Sequence, residues 1–431
     1  MRLTPVRRFG IHEAAAAGLG FVVLASVGVA DGGVFPRTWR LATLALAALA
    51  AAALLSRDRI RISRLEWGVL ASVAALAAWT ALSAAWSTRP TASLLQGERV
   101  VLYAVAILVV LLVVERAVVP HLLAGIVAGI SAVCAYGLLE FVFRRPALDP
   151  FEGRLLHRPL GYANALGIFA AIGILVALGL ALSARRSSVR VVTLSPLVVL
   201  GPTLYLTSSR GAWLALGVGV AFLAALDGRV RVRTVAVISA ATAAALVLAV
   251  IAFGSLGGVA GDNRADYWSV AWDVFVDHPI LGAGAATYGD YWLALGPGGS
   301  FTRTAHSLYL QSLAELGLVG LLLVAAMLTL PLLRLREGAS PLAAAAGAGY
   351  VAYLFHTGID WDWEMPATTL AGLFCGGALL AARRPETVAP LRWWARVLLL
   401  VPIAALALIA WLRLDDGPRT PFGLELVRFL T

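Results

Sequence analysis

Lysine is absent from this 431-residue chain, so all 34 basic residues are arginine. That bias removes the usual reason to read an arginine as chosen over lysine for its planar fork. There are two cysteines, Cys134 and Cys375, both inside apolar runs. A disulfide framework and a zinc site are therefore not suggested. Charge is scarce at 13% of residues, where a soluble domain has roughly a quarter. Asparagine occurs twice, at Asn164 and Asn263. No Gly-rich phosphate loop, metal-ligand spacing or supported Ser-His-Asp pattern is present, so no cofactor and no metal is expected.

Apolar sequence fills the chain instead. Hydrophobic residues make up 60%, and the mean hydropathy is +0.86. A membrane span needs roughly 20 such residues. Thirteen approximate spans follow: 13–30, 38–55, 66–86, 98–115, 119–143, 161–183, 190–207, 211–226, 233–253, 306–333, 341–358, 367–382 and 395–412. The fold class expected is all-α, a polytopic transmembrane bundle of about 12–13 spans. Its long extracytoplasmic loop should contain short helices. The division is 1–253 for the N-terminal helices, 254–305 for the loop, 306–413 for the C-terminal helices and 414–431 for a tail. The first run follows Arg2, Arg7 and Arg8. It could pass for a signal peptide but reads as a retained helix, because more spans follow at once.

The net charge of +10 points to the lipid bilayer and not to nucleic acid, because the arginines sit in short loops where they set topology. A cytoplasmic start makes every second loop basic. Arg57-Asp58-Arg59-Ile60-Arg61, Arg185-Arg186, Arg229 to Arg233, Arg334-Leu335-Arg336 and Arg383-Arg384 obey this. The loops 31–37, 87–97, 144–160, 208–210, 254–305 and 359–366 then face outward. On that outer side, in these loops or at the span ends beside them, fall Asn164, Arg210, Asn263, Arg264, His306, Asp360, Asp362 and Glu364. Chemistry is expected on the extracytoplasmic side, above all in 253–330.

Each of these residues has two readings. Ser208-Ser209-Arg210-Gly211 is too short a connection to leave the membrane, so Arg210 meets a phosphate or diphosphate, or else snorkels to headgroups. After Asp262-Asn263-Arg264, the aromatics Trp268, Trp272 and Phe275 recur at helical spacing, as in an interfacial helix. Arg264 then faces headgroups or substrate. His306 is a helix-end residue or a general base; His12, His121 and His356 read as structural. In Gly358-Ile359-Asp360-Trp361-Asp362-Trp363-Glu364, the carboxylates bind a cation or sugar hydroxyls while the tryptophans stack on sugar faces. The alternative is an interfacial aromatic belt.

Taken in order, Gly161-Tyr162-Ala163-Asn164-Ala165-Leu166-Gly167, Thr207-Ser208-Ser209-Arg210-Gly211-Ala212, Asn263-Arg264 with Trp268, His278-Pro279-Ile280-Leu281-Gly282-Ala283-Gly284, and Ala305-His306-Ser307-Leu308-Tyr309-Leu310-Gln311 with Glu315-Leu316-Gly317 resemble the O-antigen ligase and polymerase superfamily. Ser307 stands where that family commonly has asparagine. The resemblance implies a membrane glycosyltransferase of the GT-C type in the bacterial inner membrane. The implied donor is a saccharide on undecaprenyl diphosphate, and the acceptor a glycan or glycolipid hydroxyl. Arg210 and Arg264 would hold the diphosphate. His306 would bind it or take the acceptor proton, and direct displacement would invert the anomeric carbon. Asn164, Asn263, Arg303, Tyr309, Asp362 and Glu364 would line the substrate. A lipid II polymerase of the RodA and FtsW type is the rival enzyme. A polysaccharide flippase is the rival from another class, for which internal repeats would be expected.

Overall fold

The computed structural model describes residues 10–57, 59–144, 148–226, 264–298, 301–337 and 340–414. Among the described residues it is all-α, and nine helices are long and apolar enough to cross a membrane. The span expected at 233–253, Asn263, and the tail beyond residue 414 lie outside the described residues.

The first half consists of α1 (Ile11–Val29), α2 (Pro36–Ser56), α3 (Arg64–Leu82), α4 (Pro90–Val113), α5 (Val119–Arg144) and α6 (Ala163–Ser183). Helix α4 starts at Pro90, before the expected 98, because proline at the first position and the turn at Arg89 launch it early. The expected span 190–207 is broken into α7 (Ser187–Leu194) and α8 (Leu197–Leu206). Pro196 sits at the break, where it cannot donate to the preceding turn. Then come α9 (Arg210–Leu226), α10 (Arg264–Asp277), α11 (Tyr288–Leu295), α12 (Leu308–Thr329), α13 (Pro341–His356), α14 (Pro366–Ala382) and α15 (Trp393–Leu412).

Lipid supplies no hydrophobic drive between helices, so close contact depends on small side chains. Gly125 and Gly129 of α5, four residues apart, lie against the backbone of α1 at Ala17 and Phe21. Helix α6 is buried almost throughout, which makes it the centre of the bundle.

The connections sort into two ends. At one end the arginines bind helix termini. Arg57 donates to Leu112 O at 2.7 Å, and Arg396 to Arg57 O at 2.6 Å. Arg384 donates to Glu66 at 2.7 Å, and Arg334 to Ser63 at 2.6 Å. Glu66 and Ser63 form the capping box that starts α3. At the other end, Leu156 N meets Leu206 O at 3.1 Å and Leu308 N meets Thr357 O at 2.8 Å. Helix α15 joins the two. Arg396 is at the arginine-rich end, while Arg413 pairs with Glu98, the partner of Arg40 at 2.8 Å.

Helix α12 is interrupted. Gly317 has φ 66° and ψ −166°, a region essentially restricted to glycine. The segment after α10 fills the break. Ala283 N donates to Ala314 O at 3.0 Å, Gly284 N to Glu315 O at 2.8 Å, and Leu318 N to Pro279 O at 2.9 Å. Trp79 adds an indole N–H to Leu316 O at 3.0 Å, and Trp86 one to Gly282 O at 3.1 Å. Irregular backbone at membrane depth survives only where its polar groups are satisfied. Two separate sequence motifs, 278–284 and 315–317, are thus one structural unit.

Candidate functional site

The site assembles around the short turn between α13 and α14, residues 357–365. Asp360 is its centre, 1% exposed. A buried carboxylate needs partners, and four donors reach it. Tyr162 Oη donates at 2.9 Å, Asn164 Nδ2 at 2.8 Å, Trp361 N at 2.8 Å and Arg264 Nη2 at 3.2 Å. Asn164 also donates to Tyr162 Oη at 2.7 Å. Two motifs distant in sequence therefore converge on an aspartate from a third.

Arg264 opens α10 and is partly exposed. Its Nε donates to Ile359 O at 2.9 Å, beside the pairing with Asp360. One turn further along α10, Tyr267 stacks on His306 with ring centroids 4.9 Å apart. Trp292 of α11 meets the edge of Tyr267 at 4.8 Å. His306 Nδ1 lies 3.2 Å from Thr304 O. Its backbone takes φ +50°, left-handed for a non-glycine residue, just before Ser307 caps α12. Holding a residue there costs about 1–3 kcal/mol, and such residues cluster at functional sites.

Arg210 is the first residue of α9 and is exposed. Among the described residues no acidic partner pairs with it. Ser208, two residues earlier, also has positive φ, at +50°. Gly167 of α6 presses against this turn; a Cβ there would be 2.9 Å from Ser209 Cβ. Gly211 lies over His356 and Ile359, and a Cβ would come within 2.9 Å of His356 Nε2. Arg264 and the start of α9 thus both rest on Ile359.

The acidic turn does not present all its carboxylates in one direction. Asp362 is fully buried against His356 Nδ1, and burial pushes its carboxyl above the ordinary 3.8. Glu364 turns the other way. It accepts from Gln311 Nε2 at 3.2 Å and lies 3.5 Å from Arg99. Tyr309 donates to Leu354 O at 2.8 Å. Arg303 is exposed and sits over the Phe301 ring at 5.8 Å. The Tyr309 ring also packs against Gly358 of the same turn. No group of three His, Cys, Asp or Glu side chains suited to a metal occurs among the described residues.

Three members escape sequence reading. His356 reads as a structural helix residue, yet it stands with Asp362 under the start of α9. Tyr162 is part of a motif but carries no signal of its own. Glu152 lies in the loop before α6, near the Ala163 backbone. Burial, with the charges of Asp149 and Asp360, pushes its carboxyl up to about 7. None of the three has a local periodicity that marks it; only the fold brings them in.

The architecture is that of a polytopic all-α membrane protein, with its polar chemistry gathered at one end of the bundle. Residues 195–325 match the family model described as O-antigen ligase, a segment that holds Arg210, Arg264, His306 and Gly317. The match supports the O-antigen ligase and polymerase superfamily, and with it a ligase- or polymerase-type function in polysaccharide biosynthesis. No curated protein matches the chain.

Proposed function

We propose that this protein transfers a saccharide from undecaprenyl diphosphate to an acceptor hydroxyl. The reaction takes place on the extracytoplasmic face of the bacterial inner membrane. The observation that carries this reading is the convergence of Arg264 and the Arg210 end of α9 on Ile359, with His306 stacked one helical turn from Arg264. The arginine-rich opposite end agrees with a cytoplasmic placement of that end.

In this reaction the acceptor oxygen forms a bond to the anomeric carbon. The bond from that carbon to the diphosphate oxygen breaks, and the diphosphate leaves with the electron pair. Arg210 and Arg264 stabilise the growing charge, a preorganised role that a metal ion takes in other transferases. Asp360 holds Arg264 in place. His306 takes the acceptor proton or donates to the diphosphate. Direct displacement inverts the anomeric carbon. Asn263 and Asn164 belong to the donor side of this reading; Asp362, through His356, supports the start of α9.

The test is transfer in proteoliposomes with a defined undecaprenyl-diphosphate oligosaccharide. Arg210→Ala, Arg264→Ala and His306→Ala should each lower the rate by roughly 100-fold or more, with normal membrane insertion. A chelator should leave the wild-type rate unchanged. Near-normal transfer by all three variants would refute the assignment. Rescue of a chelator-inhibited enzyme by magnesium would bring a metal into the site.

A further inference from the structure

His306 stands outside any helix, just before the Ser307 cap of α12. Its ring therefore has no neighbour one helical turn away to fix it. Two contacts from other residues restrain the ring, one on its edge and one on its face.

The edge contact is with Thr304. His306 Nδ1 lies 3.2 Å from Thr304 O and 3.3 Å from Thr304 Oγ1. That carbonyl is itself held: Thr302 Oγ1 donates to it at 3.0 Å and accepts from Thr304 N at 3.2 Å. A carbonyl oxygen only accepts, whereas a hydroxyl can do either, so a proton on Nδ1 satisfies both. Nε2 then carries the lone pair of the neutral ring, and the second N–H of the charged one.

The face contact is with Tyr267. Its ring lies over the imidazole with centroids 4.9 Å apart and planes inclined by 24°. The phenol is fixed in its turn. Trp292, 2% exposed, packs against it edge-on at 4.8 Å. Tyr288, equally buried, donates through Oη to Tyr267 O at 2.9 Å. Aromatic rings prefer such stacked and edge-on arrangements, which restrict tilt. Tyr267 follows Arg264 by three residues, a spacing that puts both on one face of α10. One helix thus carries the arginine and, a turn later, the support of the histidine.

We propose that Tyr267 is a positioning residue for the transfer step. Its ring, backed by Trp292, fixes the plane of the His306 imidazole, and Thr304 fixes its rotation. Nε2 is then the nitrogen that takes the acceptor proton or donates to the diphosphate. This inference rests on the transferase reading above and adds to it a residue that acts only through His306.

Two measurements on the full-length protein test it. The first needs no donor. Carbethoxylation of His306 by diethyl pyrocarbonate in nanodiscs is followed by peptide mass spectrometry. His12, exposed and paired with Arg57 at the opposite end, is the internal reference. Tyr267→Ala should raise the His306-to-His12 labelling ratio severalfold. Tyr267→Phe keeps the ring and the backbone contact, and should label as wild type does. The second measurement is transfer in proteoliposomes. In Tyr267→Ala, kcat should fall by roughly 10–100-fold. Donor KM should stay near the wild-type value, because Arg210 and Arg264 remain. Tyr267→Phe should keep most of the wild-type kcat. Tyr267→Leu, which has bulk but no flat ring, replaces Tyr267→Ala if the latter does not fold. Wild-type labelling and turnover in Tyr267→Ala, or equal losses in Tyr267→Phe, would overturn the assignment. So would a raised donor KM at unchanged kcat, the mark of a displaced Arg264. Wild-type protein that transfers no saccharide, with labelling still dependent on Tyr267, would end the transferase reading and with it the role of the stack in transfer.

Discussion

Arg264 Nη2 lies 3.2 Å from Asp360 Oδ2, joining the first residue of α10 to a turn 96 positions later in the chain. The same carboxylate holds Tyr162 and Asn164 at the entrance to α6. One buried aspartate thus sets the relative position of three motifs. Unlike a surface pair, which contributes little, it is enclosed and cannot be replaced by water without a cost.

Asp360→Asn keeps the size of the side chain but removes the charge that aligns Arg264. Misplacement of a catalytic group by about an ångström costs on the order of 100-fold. Transfer should fall by roughly 10–100-fold, with the donor KM rising. An Arg264→Ala, Asp360→Asn double variant should be no worse than Arg264→Ala alone. Additive losses would show that Asp360 acts independently of Arg264.

Gly317 joins the broken halves of α12 in a conformation that an L side chain avoids. A Cβ there would also run into the Ile280 carbonyl. Gly317→Ala should destabilise the protein by about 2 kcal/mol or more. The readout is thermal unfolding in detergent, compared with Gly18→Ala, where a Cβ meets nothing within 4 Å. Equal melting temperatures for the two variants would show that the break is not held as described.

Glu152 has its carboxyl raised from 4.5 to about 7 by burial and by neighbouring acids. The folded state then keeps a proton that the unfolded chain has released. Its contribution to stability is full below about 4.5 and is lost as pH rises through about 7. Glu152→Gln should flatten the decline of stability across that window. An unchanged slope between wild type and variant would place the titration elsewhere.

Orientation is open to direct measurement. Ser269 is exposed on α10, so Ser269→Cys should react with a membrane-impermeant maleimide added to intact spheroplasts. Protection until the membrane is lysed would reverse the proposed topology and overturn the proposed extracytoplasmic reaction.

Much was determined by the sequence alone. Long apolar runs with almost no charge must be helices in lipid, because no other open structure satisfies its backbone there. The alternation of arginine loops assigns Arg57, Arg334 and Arg384 to one end of the bundle. The ordered motifs mark Asn164, Arg210, Arg264 and His306 as candidates for one site. What the tertiary structure decided was direction and partnership. Asp360, Asp362 and Glu364 lie within five residues yet serve three surroundings: Arg264, His356 and Gln311. A tight turn points successive side chains to different neighbours, and no hydropathy pattern encodes which. His356 read as a plain helix residue because its partner is defined by the turn and not by helical spacing. The break at Gly317 was equally hidden, since its missing helix bonds are supplied by residues 279–284, which meet it only through long-range folding.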